Sequence, residues 1–245
     1  QEICKDLAEY VWQDRSRLLP TLTPLEDCIE LAVAQGEDPS RERIIIADVG
    51  DNPGGGGRGN TIWLLKGLYE SGARGVILGV FFDSALAAEA HDRGAGSKFM
   101  ACFNREERQQ DSGKFEAEVE VLHLSDGKIV GRTPGSKANM AIDLGPTAVL
   151  LLGNVTVVVI SIREQCFDPG FFEEFGVDVE AARTTVVKSR GHFRAGFSVY
   201  FRPNQVIECD APGLTSPNFR NFDWKGLKQP IYPLDPLTDW SPPMW

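Results

Sequence analysis

The residues best suited to chemistry lie in two short stretches. The first, D-V-G-D-N-P-G-G-G-G, runs from Asp48 to Gly57. Asp48 and Asp51 supply carboxylates and Asn52 a side-chain amide. Pro53 and the glycines Gly54, Gly55, Gly56 and Gly57 let the backbone turn without a Cβ penalty. A glycine loop between a strand and a helix aims its amides, and the helix N-terminus, at one point, the usual construction of an anion site. The two carboxylates oppose a bare phosphate and favour a substrate amine or a cation. No G-K-[ST] follows, since Arg58 stands near that place, and Gly54, Gly56 and Gly59 only approach G-x-G-x-x-G. The second stretch, K-S-R-G-H-F-R, runs from Lys188 to Arg194. Lys188, Arg190 and Arg194 can clamp a carboxylate, and His192 can give or take a proton near neutral pH. Equally open is a solvated basic turn paired with acidic neighbours. Lys188 and His192 are thus the candidate catalytic groups. Asp48, Asp51, Asn52, Gly54, Gly55, Gly56, Arg190 and Arg194 are the candidate substrate-binding residues.

Other chemistries find less support. The chain's three histidines are His91, His123 and His192, none in H-E-x-x-H, and no Cys/His cluster has zinc spacing. His91 and His123 read as structural, and no metal ligand is assigned. There is no G-x-S-x-G elbow. The five cysteines form no C-x-x-C pair, which suits reduced, buried thiols in a cytoplasmic compartment. A net charge of −10 with no basic stripe argues against nucleic acid as a partner. No apolar run approaches the ~20 residues that span a bilayer, so no membrane partner is expected. The N-terminus lacks a start methionine and any signal-peptide pattern, and its abrupt helical start predicts a piece of something longer.

The elements that must position these residues follow from periodicity. Ile44–Val49 is a short apolar run, the mark of a strand buried on both faces. Asn60 or Thr61 is placed to cap a helix over 60–70. Gly75–Phe82 reads as a second strand, Asp83 and Ser84 as the cap of a helix to Arg93, and 97–103 as a third strand. This β-α-β-α-β rhythm predicts a parallel sheet with right-handed crossovers. Upstream, 2–18 reads as an amphipathic helix, and Thr23-Pro24-Leu25-Glu26 as a capped start of a helix that Gly36 closes. Downstream, 115–133 reads as a β-hairpin turning at Ser125–Lys128. Met140–Leu152 reads as two strand pieces broken at Gly145-Pro146, and V-T-V-V-V-I from Val155 as a central strand. Pro134–Ala138 reads as a polar loop. Thr184–Val187 reads as a strand that delivers Lys188 to the carboxyl rim, where ligands bind in open α/β sheets. Val206–Asp210 is a last strand, before a Pro-rich coil. The expected fold is therefore α/β, a layered sandwich with a mainly parallel sheet and a β-hairpin excursion. Residues 1–42 would link to a missing upstream half, and 43–245 would be the α/β domain with its tail.

Several stretches together resemble one family: Asp48–Gly57, Q-C-F-D-P (Gln165–Pro169), V-V-K-S-R-G-H-F-R-A-G-F (Val186–Phe197), D-A-P-G-L-T (Asp210–Thr215) and P-I-Y-P-L-D (Pro230–Asp235). In this order they look like the C-terminal half of the microcystinase C (MlrC-like) zinc metallopeptidases. The resemblance implies hydrolysis of peptides, including linearised cyanobacterial toxin peptides, with a bound zinc. It also implies that the zinc ligands and catalytic acid lie in an N-terminal half that this chain lacks, so none is carried over and the chain alone is expected to be inactive. The two motif loops would face that half and the cleft. Position 50 is Gly where the resemblance leads one to expect a serine or similar small residue. The function implied is a C-terminal domain that completes the cleft of a peptidase-like hydrolase acting on a peptide or amide. Two other readings stay open: a non-catalytic α/β domain holding an anionic or nucleotide-like ligand on the glycine loop, and a structural domain that stabilises its N-terminal partner. The stripe Ile3, Leu7, Tyr10, Val11 and Leu18, with Trp12, Trp224, Trp240 and Trp245, points to a partner surface for that half or for a second copy. The alternative is that the tail wraps back over the helix.

Overall fold

A computed structural model describes residues 2–133 and 137–241. Part of the loop expected at 134–138, and Trp245, lie outside the described residues. Helix α1 (Glu2–Gln13) is followed by strand β1 (Thr23–Pro24), helix α2 (Leu25–Glu37), β2 (Ile44–Asp48), α3 (Trp63–Glu70), β3 (Val76–Phe82), α4 (Ser84–Arg93), β4 (Lys98–Phe103) and β5 (Phe115–Ser125). Then come β6 (Lys128–Val130), β7 (Ala141–Asp143), β8 (Thr147–Leu152), β9 (Val155–Ile160), α5 (Gly170–Glu173), β10 (Thr184–Val187), α6 (Phe193–Phe197) and β11 (Val206–Asp210).

The chain divides into two compact units, residues 22–216 and residues 1–21 with 217–245. The boundary expected at 42/43 does not coincide with either division, because α2 buries Cys28 and Ala32 in the core of the larger unit. That unit holds a nine-stranded sheet in the order β1-β11-β2-β10-β3-β9-β8-β5-β4. The run β1 to β9 is parallel, and β8, β5 and β4 add antiparallel pairs. Alternation along each strand sends residues to opposite faces. Ile44, Ile46, Val76, Leu78 and Val186 pack with α2, α3 and α4. Ile45, Ala47, Ile77, Val187 and Val158 pack with Phe171 and Phe172 of α5 and Phe193 and Phe197 of α6. The result is a three-layered α/β sandwich with helices on both faces.

Four local expectations fail. The 115–133 hairpin does not form: β5 already pairs with β4 on one side and β8 on the other, so no edge remains for Lys128–Val130. That segment pairs instead with β7, and Leu144 N donates to Gly127 O at 2.9 Å. Residues 97–103 form an antiparallel strand, not a third parallel one. Thr23 caps nothing, because Thr23 and Pro24 pair alongside Cys209 and Asp210 and the helix starts without a side-chain cap. Gly36 lies inside α2, where a Cβ would sit 2.7 Å from Arg74 O. The α4 cap does form, Asp83 accepting from Leu86 N at 3.0 Å.

In the smaller unit, α1 is shorter than the expected 2–18, and Arg15–Leu18 is a separate 3-10 turn. Tail rings do return to the helix: Trp12 lies 5.7 Å from both Tyr232 and Trp240, with the Arg15 guanidinium over Trp12 at 4.4 Å. The apolar stripe nevertheless stays open, with Ile3 82% and Leu18 68% exposed.

Candidate functional site

β2 and β10 are adjacent and parallel, with Val187 opposite Ala47, so Lys188 leaves its strand beside Asp48. Its ammonium lies 3.0 Å from Asp48 Oδ2, 2.8 Å from Asp51 Oδ2, 2.9 Å from Thr61 O and 3.1 Å from Thr61 Oγ1. The three charged side chains are 0–2% exposed. Asp51 also accepts from the amides of Gly59 and Thr61, each at 2.7 Å. It therefore closes the glycine loop on itself, while Lys188 clamps the loop to β2. Burial works against the Lys188 charge, but the two carboxylates outweigh it and hold its pKa above the ordinary lysine value. Burial likewise opposes ionisation of Asp51, yet Lys188 and the two loop amides hold it below the ordinary carboxylate value. Burial raises Asp48, with Lys188 pulling the other way and Asp51 adding to the rise. Asp48 Oδ1 has no hydrogen-bond partner among the described residues. Thr61 thus serves this cluster and caps no helix; α3 starts after Ile62 without a side-chain cap.

The loop amides do not form an anion cradle. Gly54 N donates to Asn52 Oδ1 at 3.1 Å, Gly55 N and Gly57 N to Asn52 O at 2.9 Å, and Gly56 N to Pro53 O at 3.1 Å. Every amide from Gly54 to Gly57 is engaged inside the turn, so none is left to bind an anionic or nucleotide-like ligand. The glycines answer to space and backbone angle instead. A Cβ on Gly54 would sit 2.3 Å from Gln165 Oε1, and Gly56 has φ +101°. Gly50 faces Ala211, where a Cβ would sit 2.1 Å from the carbonyl oxygen, which is why no serine stands there. The D-A-P-G-L-T stretch reaches this loop directly: Thr215 Oγ1 accepts from Asn52 N and donates to Val49 O, both at 2.9 Å.

Above the buried cluster lies a chain of polar side chains. Gln165 Nε2 donates to Asn52 Oδ1 at 2.7 Å and to Ser189 Oγ at 2.9 Å, and Gln165 Oε1 is 2.9 Å from His192 Nδ1. The structure so brings Asp48, Asp51, Asn52, Lys188 and His192 to one rim of the sheet. His192 and Arg190 are exposed there, and Arg190 has no partner among the described residues. Arg194 is drawn away into an ion pair with Glu208 at 2.5 Å. Gln165 and Ser189 are site residues that the sequence reading did not single out. Gln165 carries no charge, and only its place in Q-C-F-D-P marked it. Asp168 of the same stretch is fully buried and cradles backbone, accepting from Arg132 N at 2.6 Å, Thr133 N at 2.7 Å and Gly170 N at 2.8 Å. Beside the glycine loop is a cavity of about 430 Å³ lined by Arg58, Asn60, Asp83, Asn104 and Glu107. Arg58 and Glu107 pair across it at 2.7 Å.

Among the described residues no group of three or more His, Cys, Asp or Glu side chains converges as a metal's ligand set. On the rim, Asp48 and Asp51 already face an ammonium. The residues present therefore do not fit the zinc that the resemblance implies. Also among the described residues, no helix is long and apolar enough to cross a membrane.

A three-layered α/β sandwich, with two motif loops meeting at the carboxyl rim of a mainly parallel sheet, defines the class of domain. The chain belongs to the MlrC C-terminus family, whose model matches residues 46–226. It is 27% identical over 213 residues to a microcystinase C from Sphingomonas sp., covering 85% of this chain and 38% of that protein. It also shares its fold with a crystal structure of a "putative metallopeptidase" from Mesorhizobium sp. BNC1, with a TM-score of 0.78 at 23% identity, over 98% of this chain and 46% of the other. The chain thus spans less than half the length of these relatives.

Proposed function

We propose that this chain is the C-terminal domain of a peptidase-like hydrolase and forms one wall of its active-site cleft. The observation that carries this reading is the layering of the rim: a sealed Asp48–Asp51–Lys188 cluster fixes the loop from below, and one exposed imidazole, His192, stands above it. Burial of Lys188 and the two aspartates makes them positioning groups, leaving His192, with Arg190 beside it, to meet a peptide or amide substrate. The zinc of the whole protein, with its ligands, lies on this reading in an N-terminal half. That half, or a second copy, would also cover the open stripe of α1. The test is hydrolysis of linear peptides by the two halves together, with His192→Ala and Arg190→Ala in this one. Loss of turnover in His192→Ala with the fold retained supports the reading. Full turnover in both variants refutes it.

A further inference from the structure

We infer that the glycine loop sets the tautomer of His192, holding it with the proton on Nδ1 and the lone pair of Nε2 presented outward, and that Gln165 is the positioning residue that transmits this. Amide and imidazole orientations are fixed by the network around them, so the chain must start at a group whose polarity is certain. That group is the backbone amide of Gly54, which can only donate. It donates to the Asn52 side chain at 3.1 Å, so the atom there is Oδ1. The Gln165 atom 2.7 Å from the same oxygen must then be a donor, Nε2. Ser189 Oγ, 2.9 Å from that nitrogen, accepts or donates as required and does not disturb the choice. The other end of the Gln165 amide is therefore its oxygen, which faces His192 Nδ1 at 2.9 Å. A neutral imidazole has one N–H, and here it must sit on Nδ1. Nε2 of this exposed ring is left as an acceptor, able to take a proton or bind an electrophile.

The same geometry explains two residue choices. Gly54 must lack a side chain, because a Cβ would lie 2.3 Å from the Gln165 oxygen that receives the histidine proton. Position 165 needs an amide, because it must donate at one end and accept at the other. What Nε2 acts on rests on the proposed hydrolase reading; the tautomer itself does not.

The test is nitrogen-15 NMR of the histidine rings in this chain at about pH 8.5, where ordinary imidazoles are neutral, with His192→Gln identifying the resonances. The wild-type protein is expected to show a protonated Nδ1 and an unprotonated Nε2 at His192. One neutral hydrogen bond biases the two tautomers by roughly two- to thirteen-fold. Asn52→Asp still accepts from Gly54 N and from Gln165 Nε2 and should keep the tautomer. Gln165→Leu removes the acceptor and should return the ring to the Nε2–H form that an unconstrained histidine side chain prefers. A wild-type ring protonated on Nε2 overturns the inference, as does an unchanged tautomer in a folded Gln165→Leu. If that variant does not fold, the wild-type spectrum and Asn52→Asp still decide. Because none of these spectra needs turnover, full peptide turnover by the two halves in both His192→Ala and Arg190→Ala, alongside the expected tautomer, would refute only the hydrolase reading.

Discussion

Lys188 and Asp51 meet at 2.8 Å although 137 residues separate them in the chain, and both side chains are almost sealed from solvent. A buried charge left without its partner is far more costly than the pair is stabilising. Lys188→Met leaves two carboxylates in the core with no cation, and should lower unfolding free energy by about 3–5 kcal/mol. Urea denaturation at neutral pH measures it.

The same pair gives a pH signature. Lys188 has a folded pKa raised above the ordinary 10.5, so its stabilisation is fully present below that value and is lost as pH rises through the folded pKa. Asp51 has a folded pKa below the ordinary 3.8, so its share is present above 3.8 and disappears as pH falls through the folded value. Asp48, raised by burial, works against Asp51 on the acid side. The wild-type urea midpoint should therefore fall above pH 10.5 more steeply than that of Lys188→Met, which has no such proton to lose.

The two aspartates should not respond alike. Asp51→Asn replaces an oxygen that accepts from a loop amide by an NH2 group, leaving a buried N–H unpaired at a cost of about 1–3 kcal/mol. Asp48→Asn keeps an oxygen for Lys188 and removes one of two negative charges facing a single ammonium. It should cost clearly less than Asp51→Asn in the same denaturation series, and equal costs would contradict the distinction.

Glycines at the loop separate space from backbone angle. Gly56→Ala meets no neighbouring atom and is strained only by φ +101°, for about 1–2 kcal/mol. Gly50→Ser drives a Cβ to 2.1 Å from Ala211 O, and because the atoms it meets are all backbone the segments that follow β2 and β11 must part. The second variant should lose more stability than the first, read as the difference in melting temperature.

Arg194→Ala removes an ion pair on the protein surface and should change stability by no more than about 1 kcal/mol. Leu7→Glu on the open α1 stripe should leave the melt unchanged but reduce self-association and apolar-dye binding. Light scattering of the two proteins at equal concentration checks this, and a wild-type chain that is already a monodisperse monomer without dye binding removes the partner proposed for that face.

What was legible in the sequence was whatever short-range chemistry decides. The β-branched runs at Ile44–Asp48, Thr184–Val187 and Val155–Ile160 are strands because they suit burial on both faces, and Asp83 caps α4 because its oxygen is three residues from a free amide. That the Asp51 loop and Lys188 share one rim was legible too, since both leave carboxyl ends of strands in one parallel sheet; that the carboxylates pair with Lys188 itself was not. What was hidden depends on neighbours distant in sequence. Nothing in Lys128–Val130 says that β5 has no free edge. Nothing in Thr23-Pro24 says that β11 will pair with it. The glycine run looked like donors awaiting an anion, but Asn52 lies two residues before Gly54, close enough for its side chain and carbonyl to take the amides of Gly54, Gly55 and Gly57, while Pro53 O takes that of Gly56. Gln165 escaped notice because its importance is one of polarity, which shows only when both ends of the amide have partners.

The slot between β2 and β3, filled by β10, has a consequence for how the protein is made. β3 can find its neighbour β9 once the chain has reached residue 160, and β9, β8, β5 and β4 lie consecutively beyond it. β2 has no such partner: its neighbours are β10 and β11, and the first ends about 140 residues after β2 begins, a long-range closure of the kind that slows folding. On the ribosome half of the sheet can be assembled while Ile44–Asp48, among the earliest strands synthesised, waits unpaired. The rim that carries Asp48 and His192 is then completed only when the far end of the domain emerges, so a nascent chain stalled before residue 184 would expose an unpaired apolar strand for chaperones to cover.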